Sequence, residues 1–527
     1  MKRLALVIVS VSTAVAFAQD EQRNRRPKMP AARASTISSS VSSGDRDLSE
    51  ALSLAKSGRY VEASQKLFQL SYSPRFRDKR MQIKYILGMT LQQMKMNQVA
   101  AFQYIGVIKE GENKYIKQSL EKLSLAADTL GDDTLLNYAI SRVNVDEFPR
   151  AHRDMLHYRI GEYQARNKQF VEAARSFSRV GQGHGLFSTA KYQEGLAYAE
   201  ANQLDRALSA FEELMQARSS AGPTDKARVY GLMGKARVQY QQKKWDEAIE
   251  TYRDVPRDSE PWHDTLFESS WAMLRSGRFR SALSNFHSLH SAFYEDFYLP
   301  ESLLLRGIVY LYICKYDEMD KVLGLFSRIY KPVYKQIDKT LDSVNKYERY
   351  FTIMNDIMKL NRKSGDFDKS SMPIPYLVAQ KISREGDFQN SFQYIRKLLE
   401  EKKRIKAMPG VWQSSAVGRY SKKVLDTRLA KAKERAGKIV RNHLLSVKEE
   451  LLDLIEQEGF ARYEMINGRK ETLKKKIAGR EVDGQQIDSQ NQRDFYIQNG
   501  YEYWPFRGEY WLDELGNYHY VGTQSCN

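Results

Sequence analysis

Histidine pairs, glycine-rich turns and Glu-Ser neighbours are where chemistry would be sought in this chain of 527 residues. His287 and His290 fall on one helical face, as two ligands of a zinc ion would. No third ligand stands at a predictable spacing, so no metal site is expected. The run GQGHG at 181–185 has the glycines of a phosphate-binding turn but lacks the Lys-Ser/Thr pair that completes one, and it reads as a linker. No nucleophile elbow is present. The expectation is therefore a chain with no catalytic residue, no metal and no cofactor.

The elements that would have to position any site are helices, because Gly 30 and Pro 13 are few for this length. They repeat. Gly195, Tyr198, Asn202, Leu204, Ala207, Phe211 and Leu214 stand at offsets 0, 3, 7, 9, 12, 16 and 19. The first three lie on one face of a helix, with Asn202 at a turn. The rest form an i, i+3, i+7, i+10 stripe on a second helix. A small residue suits the closest approach of two helices, and an aromatic fills the groove beside it. Copies follow the same register: Gly58, Tyr60 and Ala63; Gly88, Ala100 and Tyr104; Ala127, Leu130, Leu136 and Ala139; Gly161, Ala173 and Phe177. Trp245, Ala248 and Tyr252 continue it, then Gly277, Ala282 and Phe286, then Gly307, Tyr310 and Met319. The small-residue slots fall at 63, 100, 139, 173, 207, 248, 282 and 319, in steps of 37, 39, 34, 34, 41, 34 and 37.

This pattern resembles the tetratricopeptide repeat family, whose unit has about 34 residues, often with proline after its second helix. Pro74, Pro149, Pro223, Pro261 and Pro332 sit near those ends. The resemblance covers 48–335 and implies an all-α solenoid. From 336 to 408 an irregular continuation is expected. It begins with one long helix over 333–362, and Gly386, Phe388, Ser391, Ile395 and Leu398 then form a degenerate unit. Soluble lytic transglycosylases also join a helical solenoid to a catalytic domain. Here Glu268-Ser269 is not followed by the Gly-Leu-Met-Gln element of that family, and Gly231-Leu232-Met233-Gly234 precedes it within a repeat.

Composition narrows the setting. The net charge is +18 and only 42% of residues are hydrophobic, which excludes a polytopic membrane protein. Lys2 and Arg3, the apolar run Leu4 to Val15 and Ala16-Phe17-Ala18 read as a cleaved signal peptide over 1–18, so the chain is expected in the periplasm. Residues 19–47 are rich in Arg and Ser and read as a leader too polar to pack. Cys314 and Cys526 are the only cysteines. Two unrelated thiols are the favoured reading, and the alternative is a single bridge, which needs the C-terminal tail to reach Cys314.

A basic helical extension is expected over 409–490, with one buried apolar seam that includes Val424, Leu429, Leu444, Leu451, Leu452 and Leu454. Arg419, Lys422, Lys423, Arg428, Lys431, Lys433, Arg435, Lys438 and Arg441 stand there against two acids, and most of them are candidate contacts for an anionic ligand. Residues 491–527 hold an aromatic-rich cap, a small hairpin in which Trp504, Tyr510 and Trp511 are candidate stacking groups for a sugar or a partner. The run YWPFRGEYWLDELGNYHY is similar to tails of exported tetratricopeptide proteins from gliding and predatory bacteria. The repeat resemblance implies a protein–protein interaction scaffold for peptides or helices of other envelope proteins, in a motility, secretion or envelope-assembly complex. The alternative is a module binding peptidoglycan or another anionic polymer. Nucleic acid is not an expected partner.

Overall fold

A computed structural model describes residues 43–110, 114–131, 150–217, 226–361 and 372–477, and every regular element among them is helical. The first part is built of helix pairs. They are α1 (Ser43–Lys56) with α2 (Tyr60–Tyr72), and α3 (Arg80–Gln93) with α4 (Asn97–Lys109). A single helix α5 (Ile116–Leu130) follows, then α6 (Arg150–Arg166) with α7 (Phe170–Phe177). Next come α8 (Phe187–Glu200) with α9 (Leu204–Gln216), and α10 (Lys226–Gln241) with α11 (Trp245–Arg253). The last pairs are α12 (Trp262–Arg275) with α13 (Phe279–Leu289), and α14 (Pro300–Tyr312) with α15 (Tyr316–Ser343). Beyond them lie α16 (Tyr347–Asn361), α17 (Tyr376–Arg384), α18 (Gly386–Lys406), α19 (Gly410–Ser414) and α20 (Ala416–Ile477).

One backbone device closes each complete pair. Gly58, Lys95, Lys168, Asn202, Lys243, Gly277 and Cys314 all have positive φ, between 57 and 80°. Each stands at the same offset, five before its small-residue slot. The next amide donates back across the turn: Gln203 N–H to the Tyr198 carbonyl at 2.8 Å, and Lys244 N–H to that of Gln239 at 2.9 Å. These bonds satisfy carbonyls that the helix end would leave orphaned, which offsets the strain of a left-handed residue with a Cβ. The slots then meet as the sequence implies. Ala63, Ala100, Ala173, Ala207, Ala248, Ala282 and Met319 are fully buried, as are the aromatics Tyr104, Phe211 and Phe286. A Cβ on Gly88 would lie 2.5 Å from the Tyr104 ring, and one on Gly161 would lie 2.7 Å from Phe177. Only glycine admits those rings.

The chain divides into two compact units, and each combines repeats with a stretch of the C-terminal helices. The first takes residues up to Ala190 together with Arg384–Ile439, the second Lys191–Ser383 together with the chain from Val440 on. In the first unit the buried Glu401 carboxylate accepts the backbone N–H groups of Gln98 (3.0 Å) and Val99 (3.2 Å) in the opening turn of α4. The fully buried Trp412 donates its indole N–H to Ser64 Oγ at 2.9 Å. In the second unit the later turns of α20 lie along α15. There Glu458, also buried, accepts from Ser327 Oγ (3.1 Å) and Lys331 Nζ (3.2 Å), and Arg462 pairs with Asp320 at 2.9 Å. The buried seam of α20 is one stripe at steps of three and four, from Val417, Ser421, Leu425 and Leu429 to Leu444, Val447, Leu451 and Leu454.

Several expectations change. Helix α1 begins at Ser43, ahead of the expected edge of the leader. Helix α5 closes at Gly131 (φ 71°), three residues earlier in the register than the other turns, while Leu136 and Ala139 lie outside the described residues. Pro332 does not end its helix but sits inside α15. The long helix expected over 333–362 is instead broken at Val344, whose extended backbone separates α15 from α16. Leu452 is exposed, away from the α20 seam. Cys314 is disulfide-bonded, so it is not an unrelated thiol. The hairpin, Trp504, Tyr510 and Trp511 lie outside the described residues.

Candidate functional site

Chemistry-bearing side chains gather on the first helices of the second unit. On α8, Lys191 Nζ reaches Glu194 (2.9 Å) and Glu213 of α9 (2.6 Å). Burial holds the Glu194 carboxyl above its ordinary range, against the pull of Lys191. Burial alone would lower Lys191, but its bonds to Glu213 and Glu194 outweigh that and raise it. One pair further on, Arg237 of α10 grips both oxygens of Glu268 on α12, at 2.8 and 2.6 Å, and Tyr252 donates its hydroxyl to the same carboxylate at 3.0 Å. Glu268 is thus committed to a bidentate ion pair, a geometry that orients helices.

Aromatic rings run beside these charges. Tyr192 of α8 lies 6.2 Å from Tyr230 of α10, ring to ring. Tyr230, Leu232 and Trp262 of α12 are half-buried and pack over the buried Val229, Met233 and Val255. Tyr192 is fully buried beneath them, while Tyr230 and Trp262 on two successive first helices are partly exposed beside the charged pairs. Such a surface offers stacking and hydrogen bonding to a partner.

The residues singled out for metal and phosphate chemistry are otherwise engaged. His290 is half-buried, with Nε2 2.8 Å from Ser302 Oγ and Nδ1 3.2 Å from Arg306. Burial, then Arg306 and His287, keep it well below the usual histidine range. His287 lies 3.3 Å from the Tyr310 hydroxyl. Within 181–185, the Gly181 amide donates to Asp154 at 3.2 Å, in the connection from α7 to α8.

The candidate cations are not one patch. Arg419, Lys422, Lys423, Lys431, Arg435 and Lys438 are exposed but surround the solvent side of α20, flanking its buried stripe on both sides. Arg428 turns inward, with its guanidinium 5.0 Å from the Phe102 ring. Sequence reasoning missed Tyr192, Tyr230, Glu401, Trp412 and Glu458. For Glu401 and Glu458 the one signal was an acid standing in an apolar stripe.

Left-handed turns and a Gly-to-aromatic contact recur at one offset in pair after pair, with steps near 34 residues. Such helix-pair repeats resemble the tetratricopeptide type. No family profile matches the chain, and no curated protein does. Among solved structures, the C-terminal part of a tetratricopeptide protein from Cytophaga hutchinsonii is 17% identical, over 45% of this chain and 92% of that one, with a TM-score of 0.32. A tetratricopeptide protein from Parabacteroides merdae is 15% identical over 46% and 90%, with a TM-score of 0.27. A Rap protein complexed with competence and sporulation factor is 12% identical over 67% and 99%, with a TM-score of 0.28. At such scores the resemblance to tetratricopeptide repeats rests on the internal register of the chain.

Proposed function

We propose that the chain is a binding scaffold whose tetratricopeptide first helices hold an extended peptide or a helix of another protein. The observation that carries this is the pair Tyr230 and Trp262 on two successive first helices, both partly exposed beside satisfied charge pairs and backed by the buried Tyr192. Fully used charge pairs and half-used rings suit recognition better than turnover. The proposed setting is the periplasm, within an envelope complex for motility, secretion or assembly. The disulfide at Cys314 supports an oxidising compartment. Crosslinking with mass spectrometry in the native cell tests the scaffold. Partner peptides should attach to α8, α10 and α12, and Tyr230→Ala with Trp262→Ala should reduce capture about ten-fold, the loss of roughly 1.4 kcal/mol or more. Undiminished capture by the double variant would remove this surface from consideration.

A second reading is favoured by the exposed Lys422, Lys423, Lys431 and Lys438. These would hold peptidoglycan or another anionic polymer, with co-sedimentation that weakens as salt rises. Changing all four to Glu should abolish it. Salt-independent sedimentation of that variant excludes this reading.

A further inference from the structure

The last turns of α20 are apolar on two opposite faces. One face packs within the second unit through Leu454, Glu458 and Met465, and a Cβ on Gly468 would lie 2.7 Å from the Tyr316 ring of α15. The other carries Leu452, Phe460, Tyr463, Ile466 and Leu473, which are between 45% and 72% exposed. At 3.6 residues per turn these five fall within about 140° of arc, and they stay uncovered among the described residues. An isolated exposed apolar side chain needs no explanation, but five in one stripe do.

The charges along the stripe say what it pairs with. Glu449 and Glu456 precede its apolar middle on the same face, Lys470 and Lys474 follow it, and all four are exposed. Glu449, Glu456, Tyr463 and Lys470 stand seven apart, and Leu452, Ile466 and Leu473 keep the same period at steps of fourteen and seven. That is the period of helices that wind around one another. A second α20 laid parallel would set Glu456 against Glu456 and Lys470 against Lys470. Turned end for end about Tyr463, it sets Glu456 of each copy beside Lys470 of the other, because both stand seven residues from the centre. The stem of Lys474 then lies over Leu452 with its ammonium beside Glu449. This face is complementary to its own reverse, which is what a two-fold interface requires. The cations Lys448 and Arg469 are turned aside to Asp338 and Asp317 of α15. Asp453 and Glu471 stand at the edges of the stripe, and Glu471 holds Lys474 at 2.7 Å in an exposed pair, of the kind that exchanges at little cost. From Glu449 to Lys474 the face is about 37 Å long, room for seven helical turns of contact.

We propose that the α20 ends of two copies of this chain pair antiparallel about a two-fold axis near Tyr463. Phe460, Tyr463 and Ile466 are buried at the centre, and Glu456 and Lys470 close the seam on either side. The interface uses none of the residues on α8, α10 and α12 that form the binding surface, so a dimer carries that surface twice and gains avidity for a partner with repeated segments.

Sedimentation equilibrium of the full chain from about 1 to about 100 µM should show monomer and dimer in exchange. Glu456→Lys meets Lys470 of the other copy twice, once on each side of the axis, and should weaken the dimer about ten-fold or more. Adding Lys470→Glu to that variant should restore it. Tyr463→Asp should leave only monomer with an unchanged helical circular-dichroism signal, since that side chain is 63% exposed. A monomer throughout the range, whether the stripe takes up another protein or stays bare, overturns the proposal. So does a dimer that Tyr463→Asp and Glu456→Lys leave intact. A dimer lost in Glu456→Lys and not recovered by the charge swap overturns the antiparallel pairing.

Discussion

Phe211 shows how tightly single residues specify these repeats. Its ring lies between two glycines, and a Cβ on either Gly195 or Gly234 would come within 2.5 Å of it. Gly195→Ala gains helix propensity, about 1 kcal/mol, yet forces a ring or a helix to shift, so a net destabilisation of about 1–3 kcal/mol is expected. Gly459→Ala is the control. It meets nothing within 4 Å and lies in the interior of α20, so it should stabilise by about 0.5–1 kcal/mol. Urea titrations of both variants check the pair, and the same sign for both would contradict the packing account. At Glu401 the effect is electrostatic. Burial pushes its carboxyl up to about 7, against the lowering by the Gln98 and Val99 amides. A raised carboxyl means that folding opposes the charged form, so the penalty is full above pH 7 and is relieved as pH falls towards 4.5. Wild type should therefore gain roughly 2–3 kcal/mol more than Glu401→Gln between pH 8 and pH 5, read from urea midpoints. Parallel pH profiles would show that this carboxyl does not titrate in the native range. Glu301, also pushed up to about 7, by burial and then by Glu450 and Asp453, adds a contribution of the same sign in both chains.

Helices were legible where one face repeats and obscure where contacts come from far along the chain. The tetratricopeptide pairs could be read because the small slot, the aromatic and the turn recur at fixed offsets. The break at Val344 could not, because Pro332 looks like a terminator yet α15 accommodates it. Helix α20 was legible as an apolar seam, but its docking was not. Trp412 finds Ser64, 348 residues away, and no local spacing records such a partner. That contact decides how α19 is held. Trp412→Ala removes a fully buried ring and leaves the Ser64 hydroxyl without its donor, a loss of about 3–5 kcal/mol from the first unit. Limited proteolysis should then cut near 408–416 while the helices of the second unit stay resistant. Unchanged resistance at that site would mean that α19 is held by other contacts.

At the scale of the whole molecule, the extension beyond residue 408 belongs to the body of both units. In the sequence it reads as a basic helical extension beyond the repeats, because its basic composition differs from theirs. The composition describes its solvent side, where Lys422, Lys423 and Lys431 stand. Its other side supplies Val417, Leu425 and Leu429 to the first unit and Leu444, Val447, Leu451 and Leu454 to the second, all buried. A chain ending at Ala407 would strip that cover from α2 and α15 together and leave Ser64 and Ser327 without their partners. Each large apolar side chain withdrawn from water contributes about 1.5–3 kcal/mol, so losing seven removes roughly 10–21 kcal/mol, as much as the roughly 5–15 kcal/mol by which a domain is stable. The truncated chain is therefore expected to aggregate or to bind a hydrophobic dye, whereas the full chain does neither in size-exclusion chromatography. A monomeric, fully helical chain ending at Ala407 would restore the extension to an accessory role and leave its cations as its main asset.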